Sequence, residues 1–194
     1  MYLFWLGVSY LSGALPWSVW LGKWLYKVDP RQEGDHNPGA ANAFRVGGWR
    51  LGIVILILDF LKAFIPVFVA RWGLGFTTDQ LFWIALMPTI GHAFSIFLGF
   101  RGGRAIATWF GVWSGLTLYE IPLVMGMAAI AGAVLFKNGE PRTLVLPVVL
   151  FIYLLLRGAA LWMILLGVAQ LVILAAKLAV FYLSPIQRGQ PTKP

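Results

Sequence analysis

The chain has 194 residues, 60% of them apolar and 11% charged, and a mean hydropathy of +0.81. An aqueous globule of that size cannot hide so much apolar surface, so the composition excludes a soluble domain and predicts a single membrane domain over residues 1–194. The formal charge of +8 falls in short loops rather than on one solvated face, which argues against nucleic acid as a partner, and the lack of cysteine rules out disulfides and thiol catalysis.

Apolar runs of roughly 20 residues point to helices in hydrocarbon, whereas a membrane barrel needs short alternating strands. A first span, about Tyr2 to Gly22, carries Ser9, Ser12, Pro16 and Ser18, residue types tolerated where helices pack or line a polar cavity. No positive charge precedes it and no small-residue cleavage site follows closely, so it is expected to stay as a helix. The polar stretch from Lys27 to Arg50 comes next and holds three of the seven acids and one of the two histidines. Gly34 and Gly39 let backbone amides turn toward a ligand, and Arg31 and Arg45 supply fixed positive charge for a phosphate or carboxylate. Asp35 and His36 stand there as an acid/base pair. The plainer alternative is an interfacial loop whose Asn, Asp and Gly residues only make turns and caps.

A second span, about Leu51 to Ala70, carries Asp59 and Lys62 one turn apart on one face, where they neutralise each other as a structural ion pair. A third, about Gln80 to Leu98, contains Gly91-His92-Ala93-Phe94, with His92 placed to cap the helix end. The turn Gly99-Phe100-Arg101-Gly102-Gly103-Arg104 is a second polar cluster, and a glycine-rich turn opening a helix is where an oxyanion settles. Then come spans from Ala105 to about Leu118, with Gly111 and Gly115 at helix-packing spacing, and from about Leu123 to Phe136. A sixth runs to Leu156 and a seventh from about Ala160 to Leu183, ahead of a short polar tail. With the N-terminus outside, the inner loops hold Lys23, Lys27, Arg31, Arg45, Arg50, Arg101, Arg104, Lys137, Arg142, Arg188 and Lys193, while the outer ones hold only Arg71 and Arg157. That asymmetry predicts about seven transmembrane helices, a cytoplasmic C-terminus and both polar clusters at the cytoplasmic surface.

Four blocks in order resemble the bacterial acyl-phosphate:glycerol-3-phosphate acyltransferase family. They are Ser12-Gly13-Ala14-Leu15-Pro16-Trp17; Gly34 with Asn37-Pro38-Gly39-Ala40, Asn42 and Arg45; Asp59 with Lys62-Ala63; and Gly91-His92-Ala93-Phe94 followed by Phe97-Leu98, Phe100, Gly102-Gly103, Ala107 and Thr108. The resemblance spans roughly Ser12 to Gly111. It departs at Asp35 and His36, where the family pattern has serine then glycine, at Arg104, where it has lysine, and at Ser95, where it has proline. The family's C-terminal histidine and asparagine find no match in Pro185-Ile186-Gln187-Arg188.

The resemblance implies a membrane enzyme of phospholipid synthesis in the bacterial inner membrane. It would move a fatty acyl group from acyl phosphate to glycerol 3-phosphate, or a related phosphorylated alcohol, among membrane lipids. The alternatives are a catalytically silent lipid-binding or regulatory relative and, on helix number alone, a small transporter. Acyl transfer needs an activated alcohol, a stabilised oxyanion and compensation of the leaving phosphate. Asp35, His36 and Arg104 are the expected catalytic residues, with His36 as base because imidazole titrates near neutrality. Arg45, Asn37, Gly39, Asn42, Arg101, Gly102, Gly103 and His92 are expected to bind substrate. Two histidines in separate segments lack metal-ligand spacing, so no metal and no cofactor are expected.

Overall fold

Helices account for all the regular structure in the computed structural model, which describes residues 1–136 and 141–183. Eight α-helices occur among the described residues: α1 (Tyr2–Ala14), α2 (Trp17–Leu25), α3 (Ala40–Trp72), α4 (Thr78–Ala93), α5 (Ile106–Thr117), α6 (Glu120–Leu135), α7 (Pro141–Leu156) and α8 (Leu161–Leu183). Three stretches, Ala40–Trp72, Thr78–Leu98 and Leu161–Val180, are long and apolar enough to cross a membrane, and Glu120–Leu135 and Arg142–Leu156 are shorter apolar helices.

The first expected span is two helices. Pro16 forces the residue before it out of the helical region, and Leu15 sits at φ −59°, ψ 117°. Carbonyls released by the break are answered from neighbouring helices. Ser95 Oγ donates to Ala14 O at 2.6 Å, and Lys62 Nζ donates to Leu15 O at 3.0 Å. Pro66 likewise lacks the N–H that would bond the carbonyl of Lys62, and Ser12 Oγ donates to that carbonyl at 2.6 Å instead. Thus the serines and the lysine of the apolar spans satisfy backbone that proline leaves open.

The second span starts earlier than its hydropathy suggests. Gly39 caps α3 and the helix runs from Ala40, so Asn42 and Arg45 stand on a helix rather than in a loop. Gly48, at φ 70° and ψ −172°, then breaks the ladder and separates a short polar limb from the long apolar one. Arginine and asparagine at the limb mask its helical period in a hydropathy reading.

Close backbone contact sets the packing. A Cβ on Gly13 would collide with the Pro88 carbonyl, one on Gly91 with the Tyr10 carbonyl, and one on Gly111 with the Phe60 carbonyl. Gly115 faces the backbone nitrogen of Phe68, so Gly111 and Gly115 hold α5 against α3 as their spacing predicts. Trp109 and Trp113 are fully buried in the main core, and Trp113 Nε1 donates to Gln170 Oε1 at 2.9 Å. Gln170 Nε2 donates to Thr89 Oγ1 at 3.1 Å and so joins α5, α8 and α4. One end of the bundle is marked by Tyr2 edge-on to Phe76 and by Arg157 paired with Glu120 at 2.6 Å. At the other end the C-termini of α1 and α4 meet the N-termini of α3, α5 and α7.

Candidate active site

The loop before α3 is held by its own charges. Asp29 accepts from Arg31 N at 3.0 Å and Nε at 3.0 Å, pairs with Arg31 Nη2 at 2.7 Å, and faces Lys23 Nζ at 3.2 Å. Those contacts, the Arg31 guanidinium first among them, hold the Asp29 carboxyl well below the usual carboxylate range. His36 takes a left-handed backbone, φ 56°, and its ring Nδ1 lies 2.8 Å from the carbonyl oxygen of Arg31. The ring therefore folds back onto its own loop. It does not line the cavity described below, and the expected Asp35–His36 acid/base pair does not form because the two adjacent side chains diverge.

Asp35 turns inward. Asn42, almost fully buried, donates from Nδ2 to Asp35 Oδ1 at 2.8 Å and lies within reach of the carbonyls of Glu33 and Asn37. Its Oδ1 accepts from Arg45 Nη1 at 3.0 Å, and Asp35 Oδ2 pairs with Arg104 Nη2 at 3.0 Å. A continuous polar chain thus runs Arg45–Asn42–Asp35–Arg104 and fixes two guanidinium groups from distant segments. Gly34, at φ 59°, makes room for it, since a Cβ there would strike Arg45 Nη1.

The glycine-rich turn works differently from its sequence reading. Gly102 N donates to Ala93 O at 3.1 Å and Gly103 N to His92 O at 3.0 Å. These amides are spent on the last carbonyls of α4 rather than offered to a ligand. Their role is close approach, since a Cβ on Gly102 would overlap the His92 carbonyl. Arg101 is exposed and outside the cavity.

A cavity of about 420 Å³ opens where the two clusters meet, a size ordinary for small-ligand sites. Asp35, Asn37, Gly39, Asn42, Arg45, His92 and Arg104 line it, so most of the expected site residues converge. Three linings were missed. Asp59 reaches the floor from α3, and Arg142 and Thr143 enter from the first turn of α7. Arg142 reads as a topology charge, and the Pro-Arg-Thr helix start was its only signal. The first residues of α3 and α5 also face the space, so three helix N-termini point their positive dipole ends at it. The Pro185 to Arg188 stretch lies outside the described residues.

The profile of the glycerol-3-phosphate acyltransferase family matches residues 3–188. The chain belongs to that family. The glycerol-3-phosphate acyltransferase of Anaeromyxobacter sp. (strain Fw109-5) is 43% identical over 131 residues, 66% of this chain and 61% of the relative. Glycerol-3-phosphate acyltransferase 1 of Thermotoga maritima is 37% identical over 139 residues, 70% and 68% of the two chains. In the Anaeromyxobacter comparison the chain therefore spans about three fifths of the relative's length. The crystal structure of PlsY (YgiH), an integral membrane glycerol 3-phosphate acyltransferase, in its glycerol 3-phosphate form, superposes with a TM-score of 0.85 at 24% identity, covering 100% of this chain and 95% of that one. Its lysophosphatidic acid form gives 0.83 at 22% identity over 99% and 94%. The fold is thus shared over the length of this chain.

Proposed function

We propose that this membrane protein is an acyltransferase that moves a fatty acyl group from acyl phosphate to glycerol 3-phosphate, releasing phosphate and forming lysophosphatidic acid for phospholipid synthesis. The observation that carries this reading is the shared cavity of Arg45, Arg104 and Arg142 beneath three helix N-termini. Both substrates are phosphate esters or anhydrides, and a site of this charge compensates two phosphate groups at once.

In this reading Arg104 and Arg45 grip phosphate, and Asp35 orients Arg104 through the 3.0 Å ion pair. Amides in the first turn of α3, behind Gly39, and of α5 would stabilise the oxyanion that forms on the attacked carbonyl. Asn42 holds the loop through Asp35 and Arg45, and Asn37 lines the cavity where the acceptor's hydroxyls would lie. We further infer about seven membrane crossings, an outside N-terminus and a cytoplasmic site in the bacterial inner membrane. The cavity lies at the end of the bundle that gathers Arg45, Arg104 and Arg142, which the positive-inside bias assigns to the cytoplasm.

The test is the full chain purified in detergent or lipid cubic phase and given labelled acyl phosphate with glycerol 3-phosphate. Lysophosphatidate is the expected product. No product with glycerol 3-phosphate or with a panel of other phosphorylated alcohols would turn the reading toward a silent lipid-binding relative.

A further inference from the structure

The turn that carries Arg104 has a shape its own residues do not favour. Phe100 and Ala105 both take left-handed backbones, at φ 63° and 64°, a conformation that residues other than glycine keep only where their surroundings impose it. Here the last turn of α4 imposes it, because its carbonyls lack partners within the helix. His92 O accepts from Gly103 N, Ala93 O accepts from Gly102 N, and Tyr10 Oη donates to Phe94 O at 2.9 Å. One further donor arrives from α8. Lys177 Nζ donates to Ala93 O at 3.0 Å. Resting on the acyl-transfer reading above, we propose that Lys177 is a positioning residue for that reaction. By clamping the Ala93 carbonyl from α8 it holds the glycine-rich turn, and with it Arg104, against the cavity.

Lys177 is the only charged residue in α8, a helix of 23 residues otherwise suited to hydrocarbon. A charge in such a helix is costly and calls for a named partner. The ordinary account of a lysine there is an ammonium drawn out to water along its apolar stem. This one is directed inward. It is half-buried, its ammonium rests on the carbonyl of the fully buried Ala93, and the same nitrogen stands 5.3 Å from the centre of the Phe94 ring. The C-terminal end of a helix dipole favours a cation at that place. Gln170, two turns earlier on α8, reaches Thr89 on α4, so the same pair of helices is keyed at two levels.

The Ala93 carbonyl does not depend on Lys177 for a partner, since Gly102 N already donates to it at 3.1 Å. What the ammonium adds is a second, charge-assisted bond at the point where the turn is fastened. From there the path to the cavity is short. Arg104 follows Gly102 by two residues, and its Nη2 meets Asp35 Oδ2 at 3.0 Å. Lys177 itself does not line the cavity, so its influence passes through the turn and not through substrate.

The experiment measures kcat, KM for both substrates and the unfolding temperature in detergent for four full-length chains: unaltered, Lys177→Met, Arg104→Ala and the double variant. Methionine keeps the unbranched apolar stem and leaves no carbonyl orphaned, so Lys177→Met should unfold near the temperature of the unaltered chain. Its kcat/KM should nevertheless fall ~10-fold or more, because a small displacement of a group that holds substrate is enough to slow the reaction. In the Arg104→Ala background the same lysine change should cost no more than ~3-fold, since there is no guanidinium left to place. A Lys177→Met chain whose kcat/KM stays within ~3-fold of the unaltered one overturns the assignment alone. So does an equal loss in both backgrounds, which would put the effect of the lysine elsewhere than Arg104. A Lys177→Met chain without a cooperative unfolding transition overturns it as well, since the lysine then supports the bundle as a whole. No product from the unaltered chain defeats the functional reading and the positioning role with it.

Discussion

Arg104 Nη2 stands 3.0 Å from Asp35 Oδ2, joining the glycine-rich turn after α4 to the loop before α3. The pair aims the guanidinium at the cavity that Arg45 also lines. Arg104→Ala and Arg45→Ala should each lower kcat/KM by ~100-fold or more, as loss of a fixed charge at a developing anion does. Both proteins should remain folded, which near-unchanged unfolding temperatures in detergent would establish. Full activity in both would remove the anion-site assignment.

Gly102 lies against the end of α4 with no room for a side chain, and the obstacle is backbone. Gly102→Ala should force the turn off the His92 and Ala93 carbonyls, costing about 1–3 kcal/mol. Arg104 moves with the turn, so turnover should drop along with the unfolding temperature. An alanine variant that matches the parent in both would show that the turn is not held where it is described.

Asp59 and Lys62 are buried together at 2.7 Å. Lys62→Met leaves a carboxylate without its partner in the bundle, a loss of about 3–5 kcal/mol. Replacing both, as Asp59→Leu with Lys62→Met, should recover most of that stability but not the activity. Thermal unfolding and the labelled-substrate assay on the same samples separate the two effects.

The Asp29 cluster predicts an acid-sensitive loop. Asp29's carboxyl is depressed below its ordinary 3.8 by Arg31, so the contribution is complete above that value. It is lost as pH falls through the lower folded value. Hydrogen exchange in residues 29–36 should be insensitive to pH near neutrality once corrected for intrinsic rates, and should accelerate only below about pH 4. Asp29→Asn should show the fast exchange at every pH. Equal protection in parent and variant at pH 7 would rule out the ion pairs as the loop's anchor.

Much of the architecture can be read from the residues because its signals are local. Apolar runs locate most of the helices, Gly111 and Gly115 mark a packing face, and Asp59 with Lys62 is legible as a pair from spacing alone. Pro16 was read as a residue tolerated within one span, so neither the break of α1 nor its compensation was legible, since the donors Ser95 and Lys62 come from segments far along the chain. Within the site, Arg45, Asn42, Asp35 and Arg104 were legible as polar residues set beside glycine. The direction of His36 was not, because a left-handed residue reverses where a side chain points. Likewise, nothing in a sequence says that the Gly102 and Gly103 amides would be consumed by α4. Arg142 joins the cavity only through the packing of α7 on α6, a relationship invisible to spacing.

Helix α1 has 13 residues, about 20 Å of rise, whereas the oily layer of a bilayer is about 30 Å thick. At that length α1 does not cross the layer upright on its own, and Leu15 and Pro16, where it ends, border a small space they share with Asp59, Lys62 and His92. The break at Pro16 therefore does two things at once: it shortens the first helix and frees carbonyls that bring Lys62 and Ser95 to the end of the bundle where the cavity opens.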